Sequence, residues 1–380
     1  MRIAHLIYSE QVAGAENYLA TLLPALKEEG IECHLLCVCP EKARPLFAEF
    51  CHELNEKGVA TTLLTGTVAG FLSVAKQISR YLKQNNIKHL HAHLLKADLL
   101  AVMVKKLFDK SLFLLSTKHG YQEKYLTSFA IHKGKIIHDT YYYVSRYLAR
   151  NINEHIAISA GMSKLYYDLK LIPQPVRYIH HGVNVSYHAE KGDTTKTRFA
   201  DQQLIIVGRL EEMKGHRYLF DAMVTVIKTF PAVKLLVLGN GTQQRSLTQQ
   251  AGRLGLENNI LFLGFQSNPY DYISASDIIV LPSLFEPFGL VYIEAFALKV
   301  PVVAFDAPAC NEIISNNETG LLAPLLNSEA LAESIIYLLK NPAERKRLAD
   351  NGYEKYIGYY NTSRMAKETA AWYRSVIGGQ

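Results

Sequence analysis

Short runs of β-branched and other apolar residues recur along this chain between longer segments with helical spacing, in two separate series. The first series is Ile3–Tyr8, His34–Val38, Thr61–Leu64, His89–Ala92, Leu112–Ser116 and His155–Ile158. The second is Leu204–Val207, Lys234–Leu238, Ile260–Leu263, Asp277–Leu281 and Pro301–Ala304. Apolar runs this short, alternating with helices, suit strands of parallel sheets covered by helices on both faces. The pattern predicts an α/β fold of two facing doubly wound, Rossmann-like domains. Ligands of such sheets bind beyond the carboxyl ends of the strands, which places the expected site in a cleft between the domains.

Between the two series the polar, turn-rich stretch from Tyr187 to Arg198 has no periodicity and reads as a linker. The expected domains are therefore 1–184 and 201–364, joined by a linker over 185–200. A helix over 365–380 carries the lone Trp372, which needs a surface to pack on, so it is expected to dock back on the fold.

At 380 residues, 49% hydrophobic and 20% charged, the composition is that of an ordinary globular protein long enough for two domains. The opening residues lack the apolar length of a signal peptide, and no apolar stretch approaches eighteen residues, so a cytoplasmic location is expected. The five cysteines are an odd number, three of them in one strand-like segment, and read as buried thiols. The net charge of +6 is unevenly placed: residues 96–150 hold ten Lys or Arg against four acids. Interleaved with Tyr121, Tyr125, Phe129, Tyr141–Tyr143 and Tyr147, this segment suits peripheral contact with an anionic membrane surface or an anionic acceptor. A solvated helical face with its aromatics turned inward accounts for it equally well. Nucleic acid is not an expected partner.

Glu286 and Glu294 flank a Pro-Phe-Gly turn. With Pro287 in the first turn of a helix, the N–H groups of Gly289, Leu290 and Val291 would form a seat for an anion such as a diphosphate. Glu294 falls in an almost wholly apolar helix, where an acid needs a partner or a ligand hydroxyl. Two solvated glutamates are the competing reading. Upstream, Arg209 lies directly after a strand and Lys214 five residues on beside a glycine, a planar fork and a mobile point charge. Gly14 opens a helix after the first strand, where backbone can approach a ligand closely. His89, His91 and His93 alternate along one strand, a pattern that a metal site or a strand end beside the cleft would both explain. His180 and His181, at the expected hinge, read as bonded to backbone.

Gly208-Arg209 with Lys214-Gly215, then Leu238-Gly-Asn-Gly241, Phe262-Leu-Gly-Phe265, Ala275-Ser-Asp277 to Pro282-Ser283 and Glu286-x7-Glu294, together resemble the donor-binding half of glycosyltransferase family 4. Ala13-Gly-Ala-Glu16, His91-Ala-His93, Lys118-His119-Gly120, Ala157-Ile-Ser159 and His181-Gly-Val-Asn184 match its first half in order. The resemblance implies a GT-B fold and metal-independent, retaining transfer of a sugar from a nucleotide diphosphate sugar, taken as a UDP-sugar, to a glycan or glycolipid of a bacterial envelope, as in lipopolysaccharide synthesis. By position, Arg209 and Lys214 would steady the departing diphosphate with the helix start at Gly289, Leu290 and Val291. Glu286 would hold hydroxyls of the sugar, Glu294 those of the ribose, and His119 would face the sugar near its C6 hydroxyl. Gly14 would lie by the phosphates, and Gly208, Gly239, Gly264 and Phe265 in the nucleotide-binding motifs. No Asp-x-Asp motif appears, so no metal or other cofactor is expected. With no clear opposing carboxylate, front-face attack is favoured over a covalent intermediate. Other readings are an epimerase of nucleotide sugars on the same fold and a non-catalytic nucleotide-sugar-binding protein. The chain departs from the family at Ala307–Ala309, where glycines are common, and at Asn184 and Asn240, which stand for aspartates.

Overall fold

The structure, a computed structural model, describes residues 1–121, 138–185 and 197–378. They divide into two compact units, one of residues 1–121, 138–182 and 362–378 and the other of 183–185 and 197–361.

The first unit holds a six-stranded parallel sheet of β1 (Arg2–Tyr8), β2 (Glu32–Cys39), β3 (Ala60–Thr65), β4 (His89–His93), β5 (Phe113–Lys118) and β6 (Glu154–Ala157), in the order β3-β2-β1-β4-β5-β6. One face buries Ile3, Ile7, Leu35 and Cys37 under the helices Gly14–Glu28, Arg44–Glu56 and Thr362–Ile377. The other buries Ala4, Leu6, Leu90 and Ala92 under Phe71–Gln84 and Leu95–Leu107. Successive strand residues point to opposite faces, so His5, His91 and His93 share the first of these faces. His5 and His91 are register partners across β1 and β4.

The second unit repeats the plan with β7 (Gln203–Val207), β8 (Lys234–Leu238), β9 (Ile260–Gly264), β10 (Ile278–Leu281), β11 (Val302–Phe305) and β12 (Gly320–Ala323), in the order β12-β11-β10-β7-β8-β9. Each of the eleven apolar runs read from the sequence overlaps a strand. The strand that the pattern missed, β12, begins on a glycine, which leaves only Leu321, Leu322 and Ala323 as its apolar run.

Most of the expected linker, 186–196, lies outside the described residues. Residues 197–200 are anchored in the second unit rather than linking: Thr197 Oγ1 donates to the Asp271 carbonyl at 3.0 Å and an Arg198 Nη donates to the Ala275 carbonyl at 2.8 Å. The last helix starts at Thr362, before residue 365, and packs on Gly14–Glu28 with Trp372 and Tyr373 buried.

Candidate functional site

In both sheets the strand order reverses between two neighbours, β1 and β4 in the first unit and β7 and β10 in the second. Side chains just beyond these strands stand at the switch points where doubly wound sheets bind ligands. In the second unit, Gly208 and Arg209 follow β7, and Ser283 and Glu286 follow β10. Arg209 is exposed, and its guanidinium makes no hydrogen bond or ion pair among the described residues. Lys214 ends a short turn of 3-10 helix, Glu212–Lys214, and its Nζ donates to Glu286 Oε1 at 2.5 Å. Ser283 Oγ donates to the same oxygen at 2.7 Å. Glu286 is thus a buried carboxylate with one oxygen doubly bonded to protein donors, while Oε2 has no partner among the described residues. The neighbouring Gly215 holds φ at +70°, and a Cβ there would lie 1.9 Å from the Pro282 carbonyl oxygen. Only glycine lets the Lys214 turn close onto the β10 loop.

Gly208, Gly239 and Gly264 meet across the ends of β7, β8 and β9: the Gly208 N–H donates to the Leu238 carbonyl at 3.0 Å and the Gly239 N–H to the Gly264 carbonyl at 2.8 Å. A Cβ on Gly239 would come within 2.0 Å of the Gly208 oxygen, so that glycine serves backbone packing. At Gly208 a Cβ would make only an ordinary 3.5 Å contact with Lys214 Cδ. Phe265, next to Gly264, is 73% exposed, an apolar ring left open beside these strand ends.

The helix after Glu286 begins at Leu290, with Gly289 as its N-cap at φ +95°. Pro287 therefore lies in the approach to the helix and not in its first turn. The left-handed Gly289 separates Pro287 from the helix, and only glycine fits there, because the Tyr292 ring, whose hydroxyl bonds Cys310 Sγ at 2.9 Å, occupies the space a Cβ would need. Gly289, Leu290 and Val291 are half-buried at this start. Glu294 is half-buried too, one turn further in, and desolvation pushes its carboxyl up to about 7 against a hydrogen bond from Tyr270. Next to Pro308, whose carbonyl accepts from the Glu286 N–H at 3.5 Å, Ala309 holds φ +66°, the left-handed conformation that favours glycine, in the loop where the chain departs from the family's glycines.

In the first unit, Gly14 opens its helix behind Ala13, whose N–H donates to Glu16 Oε2 at 2.9 Å. Nothing lies within 4 Å of where a Gly14 Cβ would be. His119 follows β5 directly. The residue before it, Lys118, is buried and donates to Asp98 Oδ2 and Ser116 Oγ, both at 2.8 Å. His119 Nε2 bonds His93 Nδ1 at 2.9 Å, and burial holds its imidazole down to about 3. The strand histidines are joined by His5, and nitrogens of His5, His91 and His93 lie within 4.8 Å of one another. Every ring nitrogen of these three is engaged with another ring nitrogen or a hydroxyl, so a cation there would have to displace hydrogen bonds that already close the set. His181 Nδ1 donates to the Gly182 carbonyl at 2.6 Å.

Ser283 stands in a motif of the sequence without a role of its own there, and Tyr270, His5, Thr117 and Tyr373 are not marked by it at all. Ser283 stands three residues before Glu286 and was open to notice as a hydroxyl beside a buried acid. Tyr373 contacts His91 across 282 residues, and no local pattern announces it.

Of the basic segment, Lys124, Tyr125, Phe129, Lys133 and Lys135 lie outside the described residues. In the helix Thr140–Arg150, Tyr142 is buried, whereas Tyr143 and Tyr147 are exposed by 55% and 56%. The aromatics are thus split between core and surface. Arg146 and Arg150 line a cavity of about 500 Å³ with Tyr167, Lys170, Leu171 and Ile172.

Residues 12–187 match the family profile described as Glycosyltransferase Family 4, and residues 194–355 the profile described as Glycosyl transferases group 1. The chain is 32% identical over 202 residues to a phosphatidyl-myo-inositol mannosyltransferase of Mycobacterium leprae, covering 52% of this chain and 53% of the relative. It is 27% identical over 175 residues to the alpha-D-kanosaminyltransferase of Streptomyces kanamyceticus, covering 46% and 45%. The chain spans about half the length of the curated relatives it matches. Its fold is similar to that of HepE from Anabaena, solved in complex with UDP and glucose, with a TM-score of 0.80 and 21% identity over 99% of this chain and 100% of that one.

Proposed function

This chain belongs to glycosyltransferase family 4, of GT-B fold, and on that premise we propose that it transfers a sugar, with retention of anomeric configuration, from a UDP-sugar to a glycan or glycolipid acceptor. The observation that carries the reading is the Lys214–Glu286–Ser283 cluster beside the helix start Gly289–Val291 at the switch point of the second sheet.

The chemistry follows from charge. Breaking the bond between the anomeric carbon and the diphosphate oxygen leaves positive charge on the sugar and sends the electron pair to the diphosphate. Arg209, Lys214 and the N–H groups at the helix start stabilise that negative charge as it develops. Glu286 Oε1 is held by Lys214 and Ser283, which leaves Oε2 to accept from a sugar hydroxyl and makes the carboxylate a poor nucleophile. Retention then comes from front-face attack, with the acceptor's proton passing to the departing diphosphate oxygen. Glu294 accepts from the ribose hydroxyls, and Tyr270 orients it. Gly14 admits phosphate because no part of its own fold fills the space beside it. His119 takes a hydroxyl of the sugar. None of these steps calls on a metal.

The acceptor belongs by analogy to a bacterial envelope, in keeping with the phosphatidylinositol acceptor named for the mycobacterial relative. Among the described residues no helix is long and apolar enough to cross a membrane. Contact with an anionic lipid surface on the cytoplasmic side would use the cations and exposed tyrosines of the Thr140–Arg150 helix.

Incubation with a panel of nucleotide sugars tests the proposal. Slow nucleotide release is expected with one donor and is abolished by Arg209→Ala or Glu286→Ala. Binding without release identifies a non-catalytic sugar-nucleotide binder, and conversion of the sugar without release identifies an epimerase; either outcome overturns transfer.

A further inference from the structure

His119 is the end of a continuous hydrogen-bonded chain that begins in the core. Tyr373 Oη lies 2.6 Å from His91 Nδ1 and 3.4 Å from His5 Nε2. His5 Nδ1 lies 3.0 Å from His93 Nε2, and His93 Nδ1 lies 2.9 Å from His119 Nε2. His91 Nε2 lies 2.8 Å from Thr117 Oγ1. All of these groups belong to the first unit.

Burial keeps the four imidazoles neutral: His5 and His119 are held down to about 3, and His91 and His93 well below their ordinary value. A neutral imidazole has one N–H and one bare nitrogen, and two ring nitrogens in contact need a single proton between them. The tautomer at one end of the chain therefore dictates the tautomer at the other. Tyr373 has one proton and two nitrogens to serve. The 2.6 Å contact with His91 has the length of an O–H donor bond, shorter than the usual N–H donor bond. With the phenol proton given to His91 Nδ1, His91 Nε2–H donates onward to Thr117. The phenol oxygen is left to accept from His5 Nε2–H. His5 Nδ1 is then bare and accepts from His93 Nε2–H, and His93 Nδ1 is bare and accepts from His119 Nε2–H. The remaining nitrogen, His119 Nδ1, is a lone pair with no partner among the described residues, on a half-buried ring braced by the edge of Tyr18.

We propose that His5, His93 and Tyr373 are positioning residues that lock His119 with its proton on Nε2, so that Nδ1 accepts a hydrogen bond from a hydroxyl of the donor sugar and selects hexoses bearing that hydroxyl over the corresponding uronates or deoxy sugars. This rests on the reading of His119 as a sugar-facing group. A carboxylate in place of the hydroxymethyl would set its own lone pairs against Nδ1, and a deoxy sugar would leave that nitrogen unsatisfied. Each costs about ten- to a hundred-fold in kcat/KM.

Two measurements test it. In the ligand-free protein, long-range ¹H–¹⁵N correlation of the His119 ring should show a single neutral tautomer with the proton on Nε2. Tyr373→Phe, which keeps the buried ring and removes the hydroxyl, and His93→Leu should each yield a mixture of both tautomers. His93→Asn, which restores a polar atom near the lost Nδ1, should return His119 toward one tautomer and recover kcat/KM relative to His93→Leu. A wild-type proton on Nδ1, or spectra and kcat/KM unchanged in both Tyr373→Phe and His93→Leu, overturns the proposal. The premise fails separately: if His119→Ala leaves transfer and the hexose-to-uronate preference unchanged while the wild-type ring still shows its single Nε2–H tautomer, His119 does not face the sugar, and the selection part of the proposal is overturned with the tautomer chain intact.

Discussion

Lys214 and Glu286, 72 residues apart in sequence, share a hydrogen-bonded ion pair of 2.5 Å at the carboxyl end of the second sheet. One of the cations expected to steady a leaving diphosphate is thus held at rest by the carboxylate expected to hold the sugar. The pair sets the lysine head in place before any ligand arrives, which is the preorganisation that electrostatic catalysis requires. Lys214→Met should lower kcat by about 10²–10³-fold, the cost of removing one preorganised charge-stabilising group. Glu286→Gln, which keeps the shape and loses the charge, should weaken both the lysine's placement and the sugar contact. Steady-state rates of nucleotide release with the active donor measure both.

Gly14→Ala separates function from stability. Its backbone is helical and nothing stands within 4 Å of the added methyl group, so the fold should tolerate it, with a melting temperature unchanged or slightly raised. If phosphate occupies that space, kcat/KM for the donor should fall by at least about ten-fold, a loss of roughly 1.4 kcal/mol. An active enzyme with unaltered donor affinity would remove Gly14 from the site.

Gly215→Ala should do the reverse and damage the fold first. The left-handed φ alone costs about 1–2 kcal/mol, and a methyl group 1.9 Å from the Pro282 oxygen forces the Lys214 turn off the β10 loop. Thermal unfolding of the variant should shift down by several degrees, and donor turnover should fall with it.

Glu294 makes stability and binding depend on pH. Its carboxyl is raised from an ordinary 4.5 to about 7, so between those values the folded protein holds this proton more tightly than the unfolded chain. The stability it contributes is therefore complete below about pH 4.5 and is lost as pH rises through about 7. After allowance for partial exposure this amounts to about 1–2 kcal/mol. Glu294→Gln should flatten that part of the melting-temperature profile between pH 5 and 8. If, as proposed, ribose hydroxyls donate to the ionised form, UDP binding near pH 6 should release a proton, seen in calorimetry as a binding enthalpy that varies with the buffer's ionisation heat. The variant should lose that dependence.

The Glu286 to Glu294 segment shows how far local reading reached. The loop before the helix and the partial burial of Glu294 follow from composition, whereas Pro287, which suits a first turn, points to an earlier helix start than Leu290. The actual start at Leu290 follows the left-handed Gly289, and the Tyr292 ring beside it, a contact that only the folded loop creates, is what requires glycine there.

The same division runs through the whole chain. Two parallel α/β sheets were determined by the sequence itself, because a strand buried on both faces must be a short apolar run, and such runs stand out wherever they occur. The glycine-flanked cations after β7 and the acids after β10 were equally visible, since they lie at strand ends that the pattern locates. What the tertiary structure alone decided is which of these groups meet: Lys214 with Glu286, Tyr270 with Glu294, and Tyr373 with a file of histidines drawn from three different strand segments. Periodicity reports which face of an element is buried, but it carries no information about a partner arriving from 72 or 282 residues away. Those pairings arise from sheet order and from the return of the last helix onto the first unit, and they decide which charges stay free for a ligand.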